Sequence, residues 1–548
     1  MKKETINTLQ AALEALGIAP CPPIDVEVPK TGAHGDISTP IAMGLSRTHK
    51  KAPRKIAEEI VAAIKDRGHF EKIEIAGPGF INFSFSIDYL LNAVKRILRH
   101  DRALLREDIG QGRKVLVEYV SANPTGPLHI GHARGAAVGN ALCTLLEESG
   151  FTVEREYYIN DAGRQVKMLG MSVYAKYQQL LGVDSEFPED GYRGEYIDDE
   201  ARALIADAGE KYKGRTFDEC GEEISSWSYR RMLELIGKDI ALFGIRGFDN
   251  WISERELYER GEVGQAITDL RNKGFIYEKD GAVWFRSTDF TDDKDRVVIK
   301  GDGAYTYFAS DIAYHKDKLD RQFDSIIDIW GADHHGYIQR IESVMQAFGY
   351  DSSRFKVILV QMVNLLKHGE PFQMSKRAGT FVTLSDVVEL VGADTTKFIF
   401  LTRKADSHLD FDLDVVTAQS AENPVFYVQY AHARINSILD NARSKGIDIS
   451  VLGDTDLSVL ELDEELTVIK KLLTYPIMLE GAARTCEPHR ITYYLQELAG
   501  LFHAYYHRNK VITDDMTLTL ARLALCAAVR IILLDALAIL GVTAPEKM

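Results

Sequence analysis

Glu118-Tyr-Val-Ser-Ala-Asn-Pro-Thr-Gly-Pro-Leu-His-Ile-Gly-His132 is the stretch that decides how this chain folds. Immediately before it, Val115, Leu116 and Val117 form a short apolar run that reads as a buried strand. Immediately after it, Ala137, Val138, Ala141, Leu142, Leu145 and Leu146 recur at helical spacing up to Gly150. A strand therefore feeds a helix through a turn containing Pro124, Gly126 and Pro127. Such a turn leaves backbone N–H groups and the positive helix end facing whatever lies above the sheet, which favours phosphate. His129 and His132, three apart, share that face, and Gly131 between them removes a side chain where a nucleotide can approach the backbone. Imidazoles so placed can donate hydrogen bonds to phosphate oxygens as charge builds in a transition state. The same spacing also suits ordinary helix-start residues or metal ligands. No metal site is expected, because the glutamate of an HExxH helix is absent and no cysteine pair lies nearby.

Far along the chain, Gln373-Met-Ser-Lys-Arg377 supplies a cation on a small-residue stretch that follows the turn signal Lys367-His-Gly369. A lysine there, Lys376, can neutralise a triphosphate. Phosphoryl and adenylyl transfer ask the protein mainly to position reactants and stabilise charge, so two imidazoles and one lysine form a sufficient minimal set. The chemistry indicated is activation of a carboxylate with ATP.

On these residues the chain resembles the class I aminoacyl-tRNA synthetases, and within them the bacterial-type arginyl-tRNA synthetases. Ser121-Ala-Asn-Pro-Thr-Gly-Pro-Leu-His-Ile-Gly-His-Ala-Arg-Gly135 matches the first family signature, and Met374-Ser-Lys-Arg-Ala-Gly-Thr380 is similar to the second. The likeness continues through Tyr157-Tyr-Ile-Asn-Asp-Ala-Gly-Arg-Gln165, Trp330-Gly-Ala-Asp-His-His335, Asn423-Pro-Val-Phe-Tyr-Val-Gln-Tyr430 and Leu540–Met548, and covers essentially the whole chain. Gln373 departs from the pattern, standing where the class signature has its first lysine.

The resemblance implies ATP, with Mg²⁺ bound to it, as the activating substrate. It also implies L-arginine and tRNA(Arg) as partners, and a need for bound tRNA before arginine is activated. It assigns His129, Gly131, His132 and Lys376 to catalysis, and Asp333, Met374, Ser375 and Arg377 to ATP beside them. Arginine falls to Glu118, Asn123, Tyr307, Asp311 and either His334 or His335, with His335 preferred. The chemistry of the ligand agrees, since a planar guanidinium is best held by fixed carboxylates. Glu118, at the top of the nucleotide-binding strand, is a charged group where one needs a reason.

Four parts are expected. Residues 1–108 read as an α+β N-terminal domain that the resemblance makes tRNA-contacting, with strands at Ile24–Val28, Ile73–Ile75 and Phe80–Phe85. Asp108-Ile-Gly-Gln-Gly112 reads as a linker. Residues 113–406 read as a Rossmann-like, doubly wound α/β catalytic core. It carries an insertion at about 171–289 and resumes with a strand at Ala304–Ala309. Residues 407–548 read as an all-α helical bundle, by resemblance the anticodon-binding domain. There Phe426, Tyr427, Tyr430, His432 and Arg434, and Phe502 to Lys510, interleave aromatic and basic side chains.

Composition sets limits. The chain has 548 residues, 45% hydrophobic, which is enough for several cored domains. Neither a leader nor an apolar run of membrane length is seen, so a cytoplasmic protein is expected, with no membrane or DNA partner and a monomeric state. The five scattered cysteines show no CxxC pair. The net charge of −16 argues against RNA only globally: residues 1–110 carry 16 Lys+Arg against 14 Asp+Glu, leaving −18 for the other 438. Arg47, Lys50, Lys51, Arg54 and Lys55 cluster in that basic end. Two other readings stay open, a small-molecule nucleotidylyltransferase and a non-catalytic tRNA-binding relative.

Overall fold

Val115, Leu116 and Val117 are buried at the centre of a five-stranded sheet in the computed structural model, which describes residues 1–29, 34–372 and 382–548. The strands are β1 (Lys114–Glu118), β2 (Thr152–Ile159), β3 (Asn250–Ser253), β4 (Ser325–Gly331) and β5 (Phe355–Val360). Their order is β5-β4-β1-β2-β3, parallel throughout. The chain moves one way from β1 to β2 and β3, then returns to the other side of β1 as β4. Strand order therefore reverses between β1 and β4, and ligands of such sheets bind outside the carboxyl ends of the strands at that point.

Helix α1 (Ile130–Glu148) follows β1 and is buried along most of its length. Gly139 makes that approach possible: a Cβ there would stand 2.3 Å from Cγ of Tyr119, which is itself fully buried.

Two sequence expectations for the core are corrected. The span 171–289 does contain a helical module, in which Arg164–Leu180, Glu195–Ala208 and Phe217–Leu242 enclose their own apolar cluster. It also contains β3, a strand of the central sheet, whose four residues are too few to show a period. The segment Ala304–Ala309 is not a strand. Tyr307–Asp320 is a helix, α2, in which Phe308, Ile312 and Ala309, Ala313 repeat at i, i+4 on the buried face.

In the N-terminal part, Phe70–Ala76 and Phe80–Phe85 pair antiparallel as expected, but the third strand is Ile37–Thr39. Ile24–Val28 contributes only the bridge Glu27 to Ser38. The C-terminal part is helical: Pro424–Ser444, Asp463–Leu473, Tyr475–Thr485, His489–Arg508 and the largely buried Met516–Ile539. Among the described residues no helix is long and apolar enough to cross a membrane.

One side chain just before the linker joins the parts. Arg106 donates to both oxygens of Asp535 on the last helix at 2.7 Å and to Glu148 at the end of α1 at 3.0 Å. It is held out of water in doing so, so the bidentate pair is stronger than a surface ion pair.

Candidate functional site

The turn after β1 is strained. Val120 and Ser121 have φ of 70° and 37°, a conformation that costs non-glycine residues on the order of 1–3 kcal/mol each. Local hydrogen bonds hold it: the Ser121 hydroxyl donates to Glu118 Oε1 at 2.8 Å and accepts from the N–H of Tyr158 on β2 at 3.1 Å. The strain turns the chain sharply at the carboxyl end of the sheet, where Asn123 stands exposed.

His129 caps α1. Its Nδ1 accepts the Gly131 N–H at 3.1 Å, and Nδ1 of His132 accepts the His129 N–H at 3.4 Å. The rings stack with centroids 3.7 Å apart. Burial lowers both imidazoles, and the charge of His129 pushes His132 further, to about 3. Both rings are therefore neutral near pH 7. With Nδ1 accepting, the hydrogen of each neutral ring lies on Nε2, which makes that atom the donor. Gly131 also leaves room for the cap: a Cβ there would press on the His129 ring at 3.0 Å.

The backbone after residue 381 is tied to this motif. Ile130 N–H donates to Val382 O at 3.2 Å and Leu384 N–H to Leu128 O at 2.7 Å. Arg134, wholly buried, donates to the carbonyls of Gln361, Ser407 and Lys404 at 2.8–3.0 Å. Gln373, Met374, Ser375, Lys376 and Arg377 lie outside the described residues.

The expected carboxylates lie near the switch point, Glu118 buried and Asp311 half-buried, with different partners. Glu118 was expected to grip a guanidinium, but Lys318 Nζ already donates to its Oε2 at 2.6 Å while Ser121 holds Oε1. The same ammonium donates to Asp328 at 2.8 Å and lies over the Tyr314 ring. Glu118 is thus matched from inside the protein, by Lys318 and Ser121. Asp311, one turn into α2, accepts from the Tyr337 hydroxyl, and burial raises its carboxyl. Tyr307 begins α2 and is 65% exposed.

Asp333, His334 and His335 sit on the exposed turn Ala332–Tyr337 at the end of β4, with His334 3.5 Å from Asp333. His315 and, less strongly, His334 are the imidazoles close enough to act on Asp311. His335 instead lines a cavity of about 350 Å³ between β5 and the helices Tyr475–Thr485 and His489–Arg508. The two histidines thus border different neighbours.

Sequence reasoning missed Glu254. It follows β3 directly, is 3% exposed, accepts from Ser310 at 2.7 Å through Oε1, and keeps Oε2 buried without a partner. Burial, with Asp311 and Asp161 as neighbouring acids, pushes it up to about 7 despite the Ser310 bond. Asp161, from the Tyr157–Gln165 motif, fixes the turn that presents it, accepting from Arg255 N–H, Ser253 and Tyr229 at 2.7–3.0 Å. The Asp161 motif was the available signal; the partner of that aspartate was not in the sequence.

This arrangement can hold a polyphosphate at the α1 start and a cationic side chain beside Asp311 and Glu254. Among the described residues no group of three His, Cys, Asp or Glu could hold a metal ion.

Comparison with known proteins gives matches over the whole chain. Residues 93–438 match the family described as tRNA synthetases class I (R), catalytic domain, residues 3–85 the arginyl tRNA synthetase N terminal domain, and residues 428–548 the DALR anticodon binding domain. A relative from Syntrophotalea carbinolica named arginine–tRNA ligase is 50% identical over 96% of this chain and 95% of its own. One from Halalkalibacterium halodurans, arginine–tRNA ligase 1, is 47% identical over 100% and 99%. The Thermus thermophilus arginyl-tRNA synthetase structure shares the fold at a TM-score of 0.78 over 100% of both chains, with 22% identity.

Proposed function

This chain belongs to the arginyl-tRNA synthetases and its reaction is the ATP-driven attachment of arginine to tRNA(Arg); from that premise we propose how its residues divide the work. The observation that carries the assignment is the position of Asp311 and the unpartnered Glu254 oxygen, on elements that meet the same sheet end as the His129–His132 pair. Asp311 and Glu254 take the guanidinium, with Tyr307 beside them and Glu118 fixed behind by Lys318. Asn123 takes the amino-acid backbone, and His334, rather than His335, takes the place beside Asp311.

Arginine's carboxylate attacks the α-phosphorus of ATP, the bond to the bridging oxygen breaks, and pyrophosphate leaves with the negative charge. His129 and His132 donate to that developing charge through Nε2. Met374, Ser375, Lys376 and Arg377 belong to the ATP side by sequence alone, as does Asp333 toward the ribose. Mg²⁺ travels with the ATP phosphates, and no step is assigned to it. The terminal ribose hydroxyl of the tRNA then attacks the adenylate carbonyl and AMP departs, with no covalent enzyme intermediate.

The tRNA side has its own support. Arg434 lies between the rings of Tyr430 and Tyr506, 4.4 and 5.2 Å from their centroids, in an open groove that Lys547 and Met548 also line. Cation and aromatic faces together suit unpaired bases. Arg47, Lys50 and Lys55 are exposed, whereas Lys51 and Arg54 are partly neutralised by Glu59 and Glu58. The division into 1–108, 113–406 and 407–548, a cytoplasmic location, a monomeric state and a need for tRNA before activation complete the reading.

Incubation with ATP, Mg²⁺, total tRNA and each of the twenty amino acids tests it. Arginine alone should be attached; attachment of lysine instead would remove the pocket assignment. Rapid ATP–pyrophosphate exchange without tRNA would contradict the tRNA requirement.

A further inference from the structure

Resting on the reading that the guanidinium enters beside Asp311 and Glu254, we propose that arginine exchanges for a proton. The empty pocket holds one proton on the Glu254–Asp311 pair, and the arriving guanidinium displaces it to solvent.

The reasoning begins with what surrounds Glu254. On its own helix stand Tyr258 and Arg255, and the Arg255 guanidinium is turned to Asp161 at 3.5 Å and half exposed. From the loop after β2 comes Asp161, whose two oxygens are already filled by Arg255 N–H, Ser253 and Tyr229. From β2 comes the phenol of Tyr158, which senses the charges of both Glu254 and Asp311. From α2 come Ser310, which satisfies one Glu254 oxygen, and Asp311. The turn Ala332–Tyr337 adds Tyr337, a neutral donor to Asp311, and His334. The buried cation of the neighbourhood, Lys318, is committed to Glu118 and Asp328, and His315 contacts Asp328 at 3.1 Å.

The buried Glu254 and the half-buried Asp311, which directly follows the Glu254 donor Ser310 on α2, therefore share a region with no cation among the described residues matched to Glu254. A buried acid in that position is least costly when neutral, and with two close together the proton belongs to the pair. The Glu254 oxygen without a partner is where a donor is missing. A guanidinium brings fixed N–H donors and a permanent charge, which reverses the preference and leaves both carboxyls ionised. One O–H bond breaks, the electron pair stays on the carboxylate, and the proton goes to water.

The consequence is a pH-dependent arginine affinity. With the Glu254 carboxyl at about 7 in the empty pocket, binding releases close to one proton at pH 6 and almost none at pH 8, and affinity rises about tenfold between them. Calorimetric titration of the full chain with L-arginine, in two buffers of different ionisation enthalpy at each pH, reads the proton directly. The observed heat should depend on buffer at pH 6 and not at pH 8. Glu254→Gln, which keeps the shape and fixes the neutral form, should lose the dependence, while His334→Gln should retain it. Arginine binding with no buffer dependence at pH 6, or release that survives in Glu254→Gln, overturns the proposal. No arginine binding at either pH would overturn the pocket reading itself, a different result from binding without proton release.

Discussion

Replacing Lys318 with methionine should be among the most damaging single changes in the catalytic domain, and damaging in a pH-dependent way. Its ammonium is fully buried and donates to Glu118 at 2.6 Å and Asp328 at 2.8 Å. Burial pushes the Asp328 carboxyl up, but Lys318 and His315 outweigh it and hold it below its ordinary value; burial raises Glu118, with Lys318 only partly offsetting it. Methionine fills the volume but leaves two buried acids facing one another, and breaking a buried pair from one side costs about 3–5 kcal/mol. All four tryptophans, Trp227, Trp251, Trp284 and Trp330, lie between residues 113 and 406, so their fluorescence reports this domain's unfolding. With m of about 3 kcal/mol/M, the urea midpoint should fall by roughly 1–2 M at pH 7. In the wild type, the Asp328 contribution is complete above its unfolded value of 3.8 and disappears only as pH falls through the lowered one. In the variant both acids are raised, so the folded form binds extra protons and gains stability as pH falls from 7 to 5. The deficit should therefore shrink toward pH 5, and Glu118→Gln with Asp328→Asn should relieve much of it. A loss below about 1 kcal/mol, or a deficit that widens on acidification, would refute the argument that this cation is what balances the two acids.

Other changes separate the remaining roles. His132→Ala should lower kcat for charging by about 10²–10³ while leaving tRNA affinity nearly unchanged in a filter-binding assay. Because His132 takes a proton only near 3, the wild-type rate should show no His132 titration between pH 5 and 8. Arg434→Ala should raise KM for tRNA by the equivalent of about 1–3 kcal/mol, the usual worth of one stacking platform, with KM for arginine unmoved. Gly139→Ala must push a Cβ into the Tyr119 ring, 2.3 Å away; a loss of at least about 1–3 kcal/mol from overpacking should appear as a lower melting temperature.

The core strands β1, β4 and β5 were legible because each contains a short apolar run, and β2, Thr152–Ile159, because it follows the first strand and helix as the second strand of a βαβ unit. β3 was not, since Asn250–Ser253 has four residues and draws its place from pairing with β2. Ala304–Ala309 misled because alternating aromatics there imitate a strand, while the helical repeat becomes visible only over the whole of Tyr307–Asp320. Ile24–Val28 has strand-like composition but meets the sheet at one bridge.

By itself the sequence determined the strand–turn–helix carrying His129 and His132, the helical C-terminal part and the class of chemistry. Periodicity, turn residues and short signatures are local properties, expressed within one turn or one strand. Only the tertiary structure decided what each acid touches. Glu118 and Asp311 look alike along the chain, yet one is matched by Lys318, two hundred residues away, and the other follows Ser310, whose hydroxyl donates to Glu254. A carboxylate's charge state and availability depend on the nearest cation, the nearest donor and the water it has lost. Those neighbours come from distant segments, and folding alone brings them together.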